Sequence, residues 1–475
     1  MSAEASSSVH PRGTLASRGL ATEPPAPPPS PTLAPSRRAA FSYARFRRRG
    51  RVWSDGVQAW VGFTGVMLTG ALLALSAART ALLLPESARP VPSSMAGAFG
   101  HGGIDLGLGG LIAALGLMFV SYAAMVSRGH RLTARPVLIG IACLNLLVLL
   151  APPMLSTDIF SYVAYGRMGT LYAANPYLHG PSAIALDPLY PFIGAQWVNT
   201  PTSYGPLFTV LSYLFAHLSI ASNVIAYKTI AAVSSLVVVL VAWSAARLRG
   251  LNPVKAVAII GLNPVIVVYG VGGGHNDLLM LAIVITGMYA LLMQRQRVSG
   301  GLIIAATAVK LTAALMLPFA VAHTAGRRSD RHGRRMVLAG AALSAGVVAA
   351  LTFSVFGTGP LHLMATLQTV QSQGGLHSIP GLIMTLLGHP QLMSGVGPIL
   401  DVVLVVALVW LIRRVWTQRL DWISGAGWAT VALLVTAGFL VPWYVAWLVP
   451  LAALSRDRRL LAATVALTGV GLTTL

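Results

Sequence analysis

The chain has 475 residues, of which 55% are hydrophobic and only 9% charged, and its mean hydropathy is +0.73. A soluble protein carries about a quarter charged residues. The depletion, together with long apolar runs free of acids and bases, marks a polytopic all-α transmembrane bundle and excludes a soluble enzyme, a secreted disulfide scaffold and a nucleic-acid module. The runs are continuous rather than alternating, which excludes an outer-membrane barrel. The net charge of +21 sits in clusters between apolar runs: Arg45 to Arg51, Arg128 to Arg135, Arg295 and Arg297, Arg327 to Arg335, Arg413 to Arg419, and Arg456 to Arg459. That is the pattern of cytoplasmic loops under the positive-inside rule, with anionic headgroups adding attraction, so the expected partner is the lipid bilayer and not nucleic acid. The single cysteine, Cys143, lies in an apolar run and reads as a small buried apolar residue.

Residues 1–52 are rich in Pro, Ser, Ala and Arg, with the run Pro24-Pro25-Ala26-Pro27-Pro28-Pro29. This composition predicts a disordered basic cytoplasmic tail without the apolar stretch of a signal peptide. Residues 53–475 form the transmembrane domain. Spans follow at 57–78, 105–126 and 136–154, then a polar, proline-punctuated region to 203. If 204–221 crossed the membrane, the cluster Arg247, Arg249, Lys255 would fall outside. A juxtamembrane helix at 204–221 followed by a span at 224–246 keeps it inside, so 155–222 reads as one large external loop carrying helices that lie on the membrane. Further spans are expected at 256–271 and 278–293. A pair of short helices over 300–325 turns near Thr312. More spans follow at 337–356, 396–414, 421–440, 442–454 and 460–475, with a weak segment at 382–394. The count is about 13 passes. No internal repeat is evident, which argues against a transporter built from inverted halves.

Twelve acids in such a chain form a short list. Glu4, Glu23 and Asp55 fall in the N-terminal region; Asp330, Asp421 and Asp457 sit among inside arginines, where salt bridging is the default. Asp158, Asp187 and Asp277 fall on the external side, in the two loops of most unusual sequence. Asp158, in Ser156-Thr157-Asp158-Ile159-Phe160-Ser161-Tyr162, reads either as a helix cap or as a carboxylate at the membrane surface able to take a proton from a hydroxyl. Tyr162, Tyr165 and Tyr177 fit a sugar-stacking surface or an interfacial aromatic belt. Arg167 runs against the positive-inside trend. In Gly272-Gly273-Gly274-His275-Asn276-Asp277, glycines allow a backbone to approach a ligand, while Asn276 or Asp277 could cap a helix. Lys310 lies inside an apolar run, where it snorkels or clamps an anionic lipid phosphate. Trp443, Tyr444 and Trp447 suit an interfacial belt or stacking on an acceptor sugar. Gln368, Gln371, Gln373 and His377 give a weaker signal in the late external loop.

These segments, with Tyr165-Gly166-Arg167, Asn175-Pro176-Tyr177, Tyr204-Gly205-Pro206-Leu207, Asn263-Pro264 and Val309-Lys310-Leu311, resemble the glycosyltransferase C superfamily. More narrowly, the chain from about residue 55 onward resembles the polyprenol-phosphomannose-dependent alpha-1,6-mannosyltransferases of actinobacteria, which build lipomannan and lipoarabinomannan cores. The resemblance implies a GT-C bundle in the plasma membrane with its N-terminus cytoplasmic and its active site external. It implies transfer of mannose from polyprenyl-phosphate-mannose to a lipid-linked mannan acceptor. Asp158 would be the general base of an inverting reaction. Lys310, Arg167, His275, Asn276 and Asp277 would bind the donor phosphate end, and Tyr162, Tyr165, Tyr177, Trp443 and Tyr444 the acceptor. No metal or other cofactor is expected, since the resemblance secures none and no ligand cluster is visible. One departure is that two spans precede the helix delivering Asp158, where the superfamily module has that helix first. Mannose itself comes only from the resemblance. A transferase for another polyprenyl-linked sugar, a transporter or flippase, and a non-catalytic scaffold are the rival readings.

Overall fold

The computed structural model describes residues 37–325, 331–372, 378–389 and 393–473, and helix is the only regular structure among them. Glu4, Glu23, Asp330, Gln373 and His377 lie outside these residues, as does 1–36 of the expected tail. Arg37 already opens the first helix, α1 (Arg37–Ser76). It is followed by α2 (Gly107–Arg128), α3 (Ala134–Leu150), α4 (Asp158–Leu171), α5 (Pro206–Leu214), α6 (Ile220–Leu248) and α7 (Pro253–Gly261). A π-helical turn, Val265–Val271, leads to α8 (Asp277–Leu292), α9 (Gln296–Thr307), α10 (Met316–Ala325), α11 (Arg331–Phe356) and α12 (Leu363–Ser372). The described chain closes with α13 (Ile379–Leu386), α14 (Met393–Trp416), α15 (Trp422–Thr436), α16 (Val449–Leu454) and α17 (Arg458–Thr473).

Five of these helices are long and apolar enough to cross a membrane: Asp55–Ser76 within α1, Gly107–Arg131, α6, α11, and Gly395–Trp416 within α14. The bent pair α7 and Val265–Val271, kinked by 48°, makes a sixth. Most other stretches expected to span are helices of 10–17 residues, among them α3, α8 and α15. At 1.5 Å per residue such helices reach at most about 25 Å, short of a hydrocarbon core of about 30 Å. Hydropathy reads through the breaks that proline and glycine make. The stretch 256–271 is cut at Leu262 to Pro264, because proline has no N–H to donate; Asn263 Oδ1 accepts from the N–H groups of Val265 and Ile266 instead. The stretch 442–454 is a 3₁₀ turn, Pro442–Trp447, before α16. Over 204–221 the helix is the nine-residue α5, and the long apolar helix is α6. The pair over 300–325 is α9 and α10, parted at Ala308 to Lys310.

Cys143 is exposed on α3 and not buried, which corrects the reading from hydropathy: an apolar helix facing lipid leaves small residues on its surface. Asp55 pairs with Arg128, Asp421 pairs with Arg249 and caps α15, and Asp457 accepts from Trp428 Nε1.

The helices pack by close approach at small residues. α9 and α11 meet where a Cβ on Gly300 would overlap the Val337 carbonyl and one on Gly340 the Arg297 carbonyl. Gly340→Ala is therefore expected to push the pair apart and lower stability by about 1–3 kcal/mol. Gly346→Ala on the same helix, where a Cβ would meet nothing within 4 Å, should be neutral. Thermal unfolding of both variants in detergent checks this, and equal midpoints would reject the close-packing account.

Candidate active site

Asp158 is delivered by a short irregular segment held from three sides. Lys228 of α6 is fully buried and donates from Nζ to the carbonyls of Ala151 and Pro152, the groups left over where α3 ends. Met154 N–H donates to Gly272 O at 3.0 Å, and Leu155 N–H to Leu83 O at 2.8 Å. Leu155 itself takes a φ of 64°, a strained value for a leucine. Asp158 is then the first residue of α4, where the helix dipole favours a carboxylate. Thr157 occupies the cap position and makes no side-chain cap bond.

The second loop starts from the π-helical turn. Gly272, Gly273 and Gly274 are packed against protein: a Cβ would meet Met154 at the first, the His275 ring at the second, and Ile159 and Lys228 at the third, whose φ is +65°. The glycines thus admit neighbouring side chains, where the sequence suggested room for a ligand. His275 is fully buried, with Nδ1 3.4 Å from Asp158 Oδ2 and its ring stacked on Trp443 at 3.9 Å. Asn276 precedes α8, its Oδ1 3.5 Å from the Tyr162 hydroxyl. Asp277, the first residue of α8, accepts both oxygens' worth of bonds from Lys310 Nζ, at 2.8 and 3.0 Å, and one from Trp447 Nε1 at 2.6 Å. Lys310 sits in the extended break before α10, its Nζ 4.6 Å from the Tyr444 ring centroid. Three broken elements therefore meet at one ion pair.

Asp158, Tyr165, Lys310, Trp443 and Tyr444 all line one cavity of about 1350 Å³. Its polar wall adds Ser156, Ser203, Tyr204, Gln196 and Gln371, with Glu86 and Arg89 from the loop between α1 and α2. Its apolar wall is built from Leu311 and Leu315, Leu400 and Leu404 of α14, and Leu433 and Leu434 of α15. His275, Asn276 and Asp277 stand behind this lining. Tyr162 is buried among Tyr204, Phe208 and Tyr227, and Tyr177 bonds to Tyr204 O and Thr209. Arg167 is turned away from the cavity: it bonds Asp187 at 2.7 Å and Leu218 O at 3.0 Å, and Tyr172 shares the same carboxylate. Glu86, Arg89, Tyr204 and Asp401 reach the cavity without having been singled out as binding residues; for Arg89 the signal was present, an arginine on the side expected to lack them.

Burial raises the Asp158 carboxyl, but the facing His275 imidazole, the Lys310 ammonium and the Tyr204 hydroxyl outweigh it, so Asp158 lies below the usual carboxylate range. It is a carboxylate at neutral pH. Burial raises the phenols of Tyr162 and Tyr204, with the Asp158 charge adding to it, so both remain neutral hydroxyl donors.

A helical membrane protein with a carboxylate and an ammonium facing one cavity, part polar and mostly apolar, is the class that this fold and site define. The chain belongs to the family described as "Alpha-(1->6)-mannopyranosyltransferase, N-terminal domain", whose model matches residues 59–326; residues 371–474 match the MptB C-terminal domain. It is 30% identical over 280 residues to the alpha-(1->6)-mannopyranosyltransferase A of Corynebacterium glutamicum, covering 50% of this chain and 56% of the relative. It is 34% identical over 208 residues to the protein of that name from Mycobacterium tuberculosis, covering 42% and 39%. Against the alpha-(1->6)-mannopyranosyltransferase B of C. glutamicum it is 28% identical over 233 residues. The matched region thus spans 56% of the first relative's length and 39% and 37% of the other two. No solved structure matches it.

The ion pair makes a prediction of its own. Asp277→Ala leaves Lys310 as an uncompensated buried cation and frees Trp447 Nε1, and is expected to cost about 3–5 kcal/mol. The double variant Asp277→Ala with Lys310→Met should recover most of that loss. A double-mutant cycle on thermal unfolding reads the coupling, and additive losses would show that the pair does not couple.

Proposed function

We propose that the protein is a mannosyltransferase that moves mannose from a polyprenyl-phosphate-mannose donor to a 6-hydroxyl of a lipid-linked mannan, with Asp158 as general base. The observation that carries this reading is the pair Asp158 and Lys310 on the wall of one cavity. The names of the relatives supply the sugar and the linkage. The apolar wall of Leu311, Leu315, Leu400 and Leu404 suits a prenyl chain beside a phosphate held by Lys310. Trp443 and Tyr444 offer faces on which sugar rings stack.

In the proposed step Asp158 takes the proton of the acceptor hydroxyl. The acceptor oxygen forms a bond to the anomeric carbon from the face opposite the phosphate. The bond from that carbon to the phosphate oxygen breaks, and its electron pair leaves on polyprenyl phosphate, whose charge Lys310 stabilises. One displacement inverts the anomeric centre, so a beta-linked donor gives an alpha product. Both reactants are anchored in the bilayer, so the protein's main contribution is positioning. The cavity lies on the outer side of the plasma membrane in this reading, and the shorter apolar helices add to the five long spans to approach about 13 passes.

The test uses membranes carrying the protein, labelled polyprenyl-phosphate-mannose and a short alpha-1,6-mannoside. Asp158→Asn should lose about 100- to 10,000-fold in transfer, the range general-base removal produces. The base is active when deprotonated, and its range is lowered, so wild-type transfer should persist as pH falls through the ordinary carboxylate range and fail only below it. Full activity of Asp158→Asn would remove the base. Transfer of arabinose or glucose in place of mannose, from the matching polyprenyl phosphates, would replace the sugar.

A further inference from the structure

His275 does not line the cavity and its side chain has no exposure at all, so it cannot touch a donor there. What it does touch is the back of Asp158. Nδ1 stands 3.4 Å from Asp158 Oδ2, at the long end of hydrogen-bond reach. Among the described residues neither ring nitrogen has a formed hydrogen bond, although both are buried. Burying an unpaired donor is costly, so a ring kept in this state calls for a reason. The surroundings are built to keep it. Trp443 covers one face of the ring at 3.9 Å with planes 22° apart, and Trp443 itself lines the cavity. A Cβ on Gly273 would stand 2.8 Å from His275 Nε2, so only glycine leaves the ring its place.

We propose that His275 is the positioning residue of Asp158: its Nδ1 donates to Oδ2 as substrates fill the cavity, Trp443 clamps the ring, and the other carboxylate oxygen is left for the acceptor hydroxyl. Hydrogen bonds in an empty catalytic site are commonly long and tighten in the complex. The proton taken from the acceptor goes to Asp158; His275 keeps its own and passes nothing on. The role rests on reading Asp158 as the base, and it moves His275 from the donor phosphate to the carboxylate. The other groups facing Asp158 are Lys310 from the break before α10, Tyr204 ahead of α5, Tyr162 and Tyr165 on α4, and Tyr444. Lys310 remains when His275 is replaced, so the carboxylate loses only part of its stabilisation.

The first experiment needs no sugar donor. An apolar carbodiimide modifies protonated carboxyls, and mass spectrometry of peptides reports modification at Asp158 as a function of pH, normalised to the total reagent taken up by the digest. In His275→Phe the midpoint of Asp158 modification should move to higher pH. His275→Gln, which retains a donor, should lie between Phe and wild type, and it serves alone if the Phe variant does not fold. In the transfer assay, kcat of His275→Phe should fall about 10- to 100-fold with the donor KM kept, and the acid limb should move the same way. An Asp158 midpoint unchanged in a folded variant overturns the proposal. A shifted midpoint in a protein that transfers no mannose keeps His275 in place beside Asp158 and overturns the mannosyltransferase reading instead.

Discussion

The ion pair between Lys310 and Asp277 is buried on both sides, with side-chain exposures of 10% and 1%. Taking two charges out of water costs several kcal/mol each, and a pair of apolar side chains would pack there at least as stably. What the pair supplies is register. Lys310 belongs to the break between α9 and α10, Asp277 to the start of α8, and Trp447, the third partner, to the 3₁₀ turn ahead of α16. These segments are separate in sequence, and they meet at a helix start, a break and a 3₁₀ turn. Each charge satisfies the other only in one arrangement of all three, and that arrangement sets one side of the cavity.

Irregular backbone in an apolar bundle must find partners for its N–H and C=O groups, and it survives only when covered by protein or lining a cavity. Both solutions occur around this site. The end of α3 is closed by the ammonium of Lys228, and the cut at Pro264 by the amide of Asn263, which in turn donates to Thr468. The segment carrying Asp158 trades bonds with Gly272 and Leu83. The departures from regular helix gather around the cavity, and a side chain or a neighbouring carbonyl closes them.

Much of this was legible from residue types alone. A lysine in an apolar run and an aspartate after a span are costly or unusual enough to stand out singly, and both Asp158 and Lys310 reach the cavity. The break over 300–325 could be anticipated because both flanks are basic. Pairing could not be read, since it depends on tertiary contact: nothing local joins Lys310 to Asp277, 33 residues away, or turns Arg167 toward Asp187. Where each helix ends within an apolar stretch could not be read for a related reason, as average hydropathy is blind to a proline or a glycine that ends a helix there. Lys228 passed unnoticed although it is one of only three lysines, because an apolar helix gives no sign of the carbonyls that wait across the interface.

The helix α14 contributes Leu400, Asp401 and Leu404 to the cavity wall, yet only 6% of its apolar window is buried in the protein. Elsewhere the cavity is bounded by packed side chains whose positions are set by the fold. Along α14 the boundary is set by whatever lies on the helix's outer face, which in a membrane is acyl chain. The width of the cavity on that side is thus a property shared between polypeptide and lipid, and it follows the thickness and lateral pressure of the bilayer. Micelles of short-chain detergent replace that confinement with a softer one, so the cavity is expected to differ in width along α14 between the purified protein and the protein in its membrane.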